Sequence, residues 1–140
     1  MSGYIPALLR QFVFERARGC CEYCGYPSIA SFAIFEIDHV VAQKHGGESV
    51  EENLALSCPL CNRYKGSDLS SIDPETGAVE RLFQPRRDNW FEHFYLEGAV
   101  IKPLSATGRV TVTLLQFNRA ERVGERAVLV EAGEYPLTKG

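Results

Sequence analysis

Two Cys-x-x-Cys pairs, Cys21/Cys24 and Cys58/Cys61, constrain this chain more than any other feature. A knuckle of this spacing brings two sulfurs to the same side of a tight turn. Two knuckles supply the four thiolates that a tetrahedral Zn²⁺ takes at about 2.3 Å. An ion bound there would close the 33 residues between Cys24 and Cys58 into a loop, a clamp that matters most to a small unit with a thin core. A redox pair or buried free thiols is the competing reading, and the doubled spacing favours metal. Cys20 adjoins Cys21, and a Cys-x-x-x-Cys pair starting from it is also workable; Cys21 is the preferred ligand. Four thiolates leave no open position for a substrate. This zinc is therefore expected to be structural, with any chemistry elsewhere.

The 140 residues suffice for one compact domain, or a small domain with an extension. A chain 45% hydrophobic and 24% charged is ordinarily globular, which argues against global disorder. No run approaches the ~20 apolar residues of a membrane span. The opening MSGYIPALLRQFVFERARG carries Arg and Glu inside its apolar pattern and reads as an amphipathic helix, not a signal peptide. The expectation is a cytoplasmic protein with reduced thiols and no disulfide framework. A net charge of −3 counts against a nucleic-acid partner. Against that, Arg81, Arg86 and Arg87 cluster in one stretch, and Arg109, Arg119, Arg122 and Arg126 follow, so the sequence allows a basic face on an acidic protein.

Ile5, Leu8, Leu9, Phe12 and Val13 recur at helical spacing over residues 4–18, and Gly19 is placed to stop that helix. Residues 20–27 read as a knuckle turn. Residues 29–42, IASFAIFEIDHVVA, read as one strand or a tight hairpin. A glycine loop covers 43–52, a short element follows from Asn53, and a helix is expected from Asn62 to about Leu69. A turn or hairpin is expected over 71–80, and a hairpin over 95–103 around Glu97-Gly98. Thr107 is a candidate cap for a helix over 108–118, with a strand as the competitor. Residues 126–130 fit either helix or strand, and 134–140 are expected to fray.

Between and after the cysteine pairs runs EIDHVVAQKHGGESVEENLALSCPLCNRYKGSD. A neutral imidazole with a pKa near ~6.5 can take a proton from water, which makes His39 a candidate general base. Hard cations such as Mg²⁺ prefer oxygen ligands, and Asp38 with the carboxamide of Asn62 offers two. Neighbouring side chains on a strand point to opposite faces, so Asp38 and His39 can cooperate only at a strand end or bend. Arg63 and Lys65, beyond Asn62 on the expected helix, are candidate phosphate contacts, as are Arg86 and Arg87 beside Trp90. His45 reads as a solvated loop residue and His93 as packing among aromatics.

The segment from about 20 to 68 resembles the HNH nuclease family. The resemblance rests on Asp38-His39 after a β-rich run, Asn53 in ENLAL, Asn62 in CNRYKGSD, and the flanking cysteine pairs. The third signature position is Asn62 where other members carry His, a variant the family also contains. The resemblance implies an α+β protein: an HNH nuclease domain over residues 1–70 whose ββα-metal core spans about 20–70, and an α+β C-terminal extension over 71–140 packed on it. It implies a DNA endonuclease, double-stranded DNA being the expected substrate. His39 would be the general base, Asp38 and Asn62 would hold a Mg²⁺ or Mn²⁺ ion, and Asn53 would shape the loop that aims His39. The alternative is a non-catalytic zinc module that binds nucleic acid or protein.

Overall fold

The computed structural model describes residues 4–137. Helix α1 spans Ala7–Arg16, entered through Pro6, whose fixed extended φ suits a helix start. It stops where Arg18 and Gly19 turn left-handed and the Gly19 amide reaches back to the Phe14 carbonyl. Ile5, Leu9 and Val13, four apart, form the stripe that packs on Leu54 and Leu56. Leu8 and Phe12 lie on the next stripe and face solvent, so the apolar face is narrower than the periodicity implied.

The expected strand or hairpin over 29–42 is shorter in the structure. Residues Ser28–Ala30 form a 3₁₀ turn, and only Glu36–His39 form strand β1. Its partner β2, Leu54–Ser57, has four residues and pairs antiparallel from Glu36–Ser57 to His39–Leu54. A strand extends only as far as its ladder, so Ile29, Phe32 and Ile34 are left exposed despite their β propensity. Both faces of β2 are buried: Leu54 and Leu56 under α1, Ala55 in the second core cluster. The 40–53 loop doubles back tightly enough that a Cβ at Gly47 would lie 1.7 Å from the Val41 carbonyl oxygen, so only glycine fits there.

Helix α2, Pro59–Lys65, starts inside the second cysteine pair, three residues earlier than the sequence suggested, and ends at Gly66 with φ +53°. The Cys58 sulfur caps it by accepting from the Cys61 amide, with Pro59 in its first turn. Strands β3 (Ser70–Ile72) and β4 (Val79–Arg81) form one antiparallel hairpin. After α3 (Trp90–His93), β5 (Phe94–Glu97) and β6 (Val100–Pro103) form another, turning at Gly98. Helix α4 covers Ala106–Leu114 and is capped by Ser105, not Thr107. Thr107 is instead buried, its carbonyl accepting from the Thr111 hydroxyl. Packing of Val110 and Leu115 overrides the β-branched bias of this segment. Helix α5, Ala120–Glu131, settles 126–130 as helical, with Arg122, Arg126 and Leu129 inward.

The larger core cluster joins Tyr23, Val40 and Ala55 to Phe83, Phe94, Ile101, Leu115 and Phe117. Fraying was expected over 134–140, but Tyr135 is buried and its hydroxyl donates to the Cys24 carbonyl at 2.7 Å. Residues 138–140 lie outside the described residues.

Candidate active site and metal centre

The two knuckles meet. One ligand atom from each of Cys21, Cys24, Cys58 and Cys61 lies within 4.8 Å of every other, and all four residues are buried. The Cys24 and Cys58 sulfurs are 3.8 Å apart. Four sulfurs about 2.3 Å from a central ion sit roughly 3.8 Å from one another, so the donor set and its spacing fit zinc. In each knuckle the second cysteine's amide points at the first one's sulfur, at 3.5 Å for Cys21 and 3.4 Å for Cys58. Cys20 is buried but outside the cluster, its thiol 3.6 Å from the Arg18 carbonyl, which decides the choice left open between Cys20 and Cys21.

A residue the sequence reading missed completes this centre. Arg122 on α5 places Nη2 3.1 Å from the Cys61 sulfur and 3.8 Å from that of Cys58. Its Nη1 donates to the Leu115 carbonyl at 2.7 Å. A zinc ion with four thiolates carries two net negative charges, which a buried guanidinium partly offsets. The only sequence trace is an arginine on the inward face of an amphipathic helix, 61 positions after Cys61.

The second candidate site lies along the seam between β1 and α2. Strand β1 ends at His39, beyond which the chain bends. Glu36 and Asp38 share one face of the strand, and Asn62 and Lys65, three apart, share one face of the helix. They meet pairwise. Asn62 Nδ2 donates to Glu36 Oε1 at 2.6 Å, and Lys65 Nζ lies 3.2 Å from Asp38 Oδ2. Asp38 is buried, and the Tyr23 hydroxyl donates to the same Oδ2 at 2.7 Å. Burial pushes the Asp38 carboxyl up, while the Lys65 ammonium and the Tyr23 hydroxyl pull it back toward the charged form.

The His39 ring is half-buried, with Nε2 2.8 Å from the Ser49 hydroxyl oxygen. Asn53 clamps the loop between the strands: its Oδ1 accepts from the Val41 amide at 2.9 Å, and its Nδ2 donates to the carbonyls of Val41 and Glu48 at 3.0 and 2.9 Å. The carboxamide therefore spans the loop that carries Ser49 to the imidazole. Glu36, Tyr23 and Ser49 had not been singled out. Period-two alternation from Asp38 would have flagged Glu36; nothing local marks the other two.

The expected phosphate contacts divide. Arg63 and Arg87 are exposed. Lys65 is not a surface contact: it is 2% exposed, its ammonium committed to Asp38 and to the His39 carbonyl. Arg86 is half-buried and ion-paired with Glu22. Most of the arginines that could form a basic face are paired with acids or buried. Arg81 forms a two-pronged pair with Asp88, Arg109 pairs with Asp73, Arg119 reaches Glu121, and Arg122 and Arg126 are buried. His93 packs edge-on against Phe83, with Nδ1 2.7 Å from Ser105 Oγ. A cavity of about 480 Å³ behind the first knuckle, lined by Glu22, Phe83, Trp90 and Tyr135 among others, contains none of Asp38, His39 and Asn62. Among the described residues no helix is long and apolar enough to cross a membrane.

No curated protein and no solved structure matches the chain. The family model for HNH endonucleases matches residues 21–68, a stretch that contains both knuckles, β1, β2 and α2. Over residues 21–68, about a third of its length, the chain is therefore similar to the HNH endonuclease family.

Proposed function

We propose that this protein is a divalent-cation-dependent endonuclease that hydrolyses phosphodiester bonds of DNA, double-stranded DNA being the favoured substrate. In this reading β1, β2 and α2 form a ββα-metal core, and the four cysteines hold a structural Zn²⁺ that stays out of the reaction. The observation that carries it is the seam itself: an imidazole at the end of β1, next to a carboxylate and across from a carboxamide, inside a segment that matches the family.

His39 takes the proton from the attacking water. The tautomer with Nε2–H donating to Ser49 leaves the Nδ1 lone pair to do so. Asn53 holds the loop that carries Ser49, and so keeps the imidazole aimed. Asp38 and the Asn62 carboxamide oxygen supply the oxygen ligands of the cation, a donor set that suits Mg²⁺ or Mn²⁺. A cation held by these groups would polarise the phosphate and stabilise the departing 3′ oxygen. Water oxygen bonds to phosphorus, the bond to the 3′ oxygen breaks, that oxygen takes a proton from solvent to leave as a hydroxyl, and the other product carries a 5′ phosphate. Arg63 and Arg87 are the exposed cations placed to meet backbone phosphates. Zinc thiolates need a reducing compartment, which suits the cytoplasm.

Nicking of supercoiled plasmid in Mg²⁺ or Mn²⁺ tests the proposal. His39→Ala is expected to lower the rate by at least about a hundred-fold, the usual worth of a general base, with zinc content unchanged. Absence of cleavage of any DNA or RNA in Mg²⁺, Mn²⁺ and Ni²⁺ would overturn it, and leave a zinc module that binds without cutting.

A further inference from the structure

Tyr23 lies within the first knuckle, between Cys21 and Cys24, and is fully buried. A buried phenol hydroxyl needs a partner. This one donates to Asp38 Oδ2 at 2.7 Å. Lys65 lies one helical turn after Cys61 on the helix that grows out of the second knuckle. Its ammonium, also buried, reaches the same Oδ2 at 3.2 Å and touches the His39 carbonyl at 3.4 Å. Each zinc knuckle thus sends one donor to one oxygen of one carboxylate. The zinc sets the distance between the knuckles, and hence between the two donors. A third tie comes from the C-terminal half, where Trp90 Nε1 donates to the Tyr23 carbonyl at 2.8 Å.

We propose that Tyr23 and Lys65 are positioning residues through which the zinc centre fixes the Asp38 carboxylate, so that Oδ1 faces the cation that Asp38 and Asn62 share. The proposal rests on the endonuclease reading above. A packing network needs only that a buried carboxylate be bonded. Here both donors converge on Oδ2 of the residue next to the candidate base, and one of them also holds the main chain at that base. A carboxylate held through Oδ2 by two donors has less freedom to turn Oδ1, so part of the ordering that cation binding needs is already done in the folded protein.

The test is Tyr23→Phe in the full, zinc-loaded chain. It deletes a single hydroxyl and keeps the ring that fills the core. Mn²⁺ binding is titrated by electron paramagnetic resonance, alongside the Mn²⁺ dependence of nicking, zinc content and melting temperature. The expected result is a roughly ten-fold weaker Mn²⁺ affinity, the lower end of what a hydrogen bond to a charged group contributes. The Mn²⁺ concentration for half-maximal nicking should rise by the same factor. The rate at saturating Mn²⁺, zinc content and thermal stability should change little. An Mn²⁺ affinity within about two-fold of the parent overturns the proposal. So does loss of zinc or of the fold, because the hydroxyl would then serve the scaffold rather than the carboxylate. Asp38→Asn, measured in parallel, separates the two layers. If it abolishes Mn²⁺ binding while Tyr23→Phe does nothing, the cation reading stands and the positioning role falls. If it leaves Mn²⁺ binding intact, the cation reading itself falls.

Discussion

Arg122 and Lys65 carry the same kind of charge, and both were expected at the surface, yet each is buried against an anion of a different centre. A buried cation is tolerated only where a partner offsets its desolvation, and removing one member of such a pair leaves the other stranded. For Arg122 the partners are the Cys58 and Cys61 sulfurs. Arg122→Met preserves most of the packing and removes the donors. It should weaken zinc binding by about 10- to 100-fold, the usual worth of an outer partner to a metal ligand. Competition with a chromophoric chelator reads this directly; an unchanged zinc affinity would show that the guanidinium merely fills space. Ser49 and Asn53 show the opposite economy of means, as two small side chains in a loop without regular strand or α-helix settle how one imidazole is presented.

Among the elements, the β3–β4 hairpin packs on α4 and is tied to it by one ion pair. Asp73 in its turn accepts from Arg109 of α4 through both oxygens, at 3.0 and 2.8 Å, and also bonds the Glu75 amide. The Arg109 guanidinium holds the Asp73 carboxyl well below the usual carboxylate range. A folded pKa below the unfolded one means that the unfolded chain binds the proton more readily. The stability from this pair is therefore complete above the unfolded value of about 3.9 and drains as pH falls toward the folded one. Arg109→Gln should flatten that acid limb, so urea midpoints of the parent and the variant should converge as pH drops from about 5 to 2. Parallel curves across this range would remove the pair as its cause. Helices α4 and α5 also show why local propensity misleads. Thr111 and Val112 belong in strands by preference, but a buried face four residues apart and a serine cap hold them helical.

At the level of the entire chain, we infer that the HNH segment is not a free-standing unit. Its core residues Tyr23, Val40 and Ala55 share one cluster with Phe83, Phe94, Ile101, Leu115 and Phe117 from the second half. Each of those five side chains contributes roughly 1.5–3 kcal/mol of gross burial energy, while the net margin left after conformational entropy is only about 5–15 kcal/mol. A fragment ending before β3 should consequently lack a cooperative thermal transition in near-ultraviolet circular dichroism and should bind zinc weakly. A sharp transition in that fragment would make the extension an independent domain resting on the core. The same view accounts for the thin basic surface. Cations drawn inward by Asp38, Asp73, Glu22 and the thiolates are not available to form a basic face.

Much of the site can be read along the chain because its parts are local. The cysteine spacing encodes the knuckles, Gly19 marks where the first helix must end, and Asp38-His39, Asn53 and Asn62 stand in a recognisable order within a few dozen residues. Turn geometry and side-chain chemistry suffice for such features, which need no knowledge of distant neighbours. The burial of Lys65, the short β1, and the partnerships of Tyr23, Ser49 and Arg122 came from the fold alone. Each depends on which surfaces meet across tens of residues, and burial and charge pairing are properties of that meeting, not of any local stretch of chain.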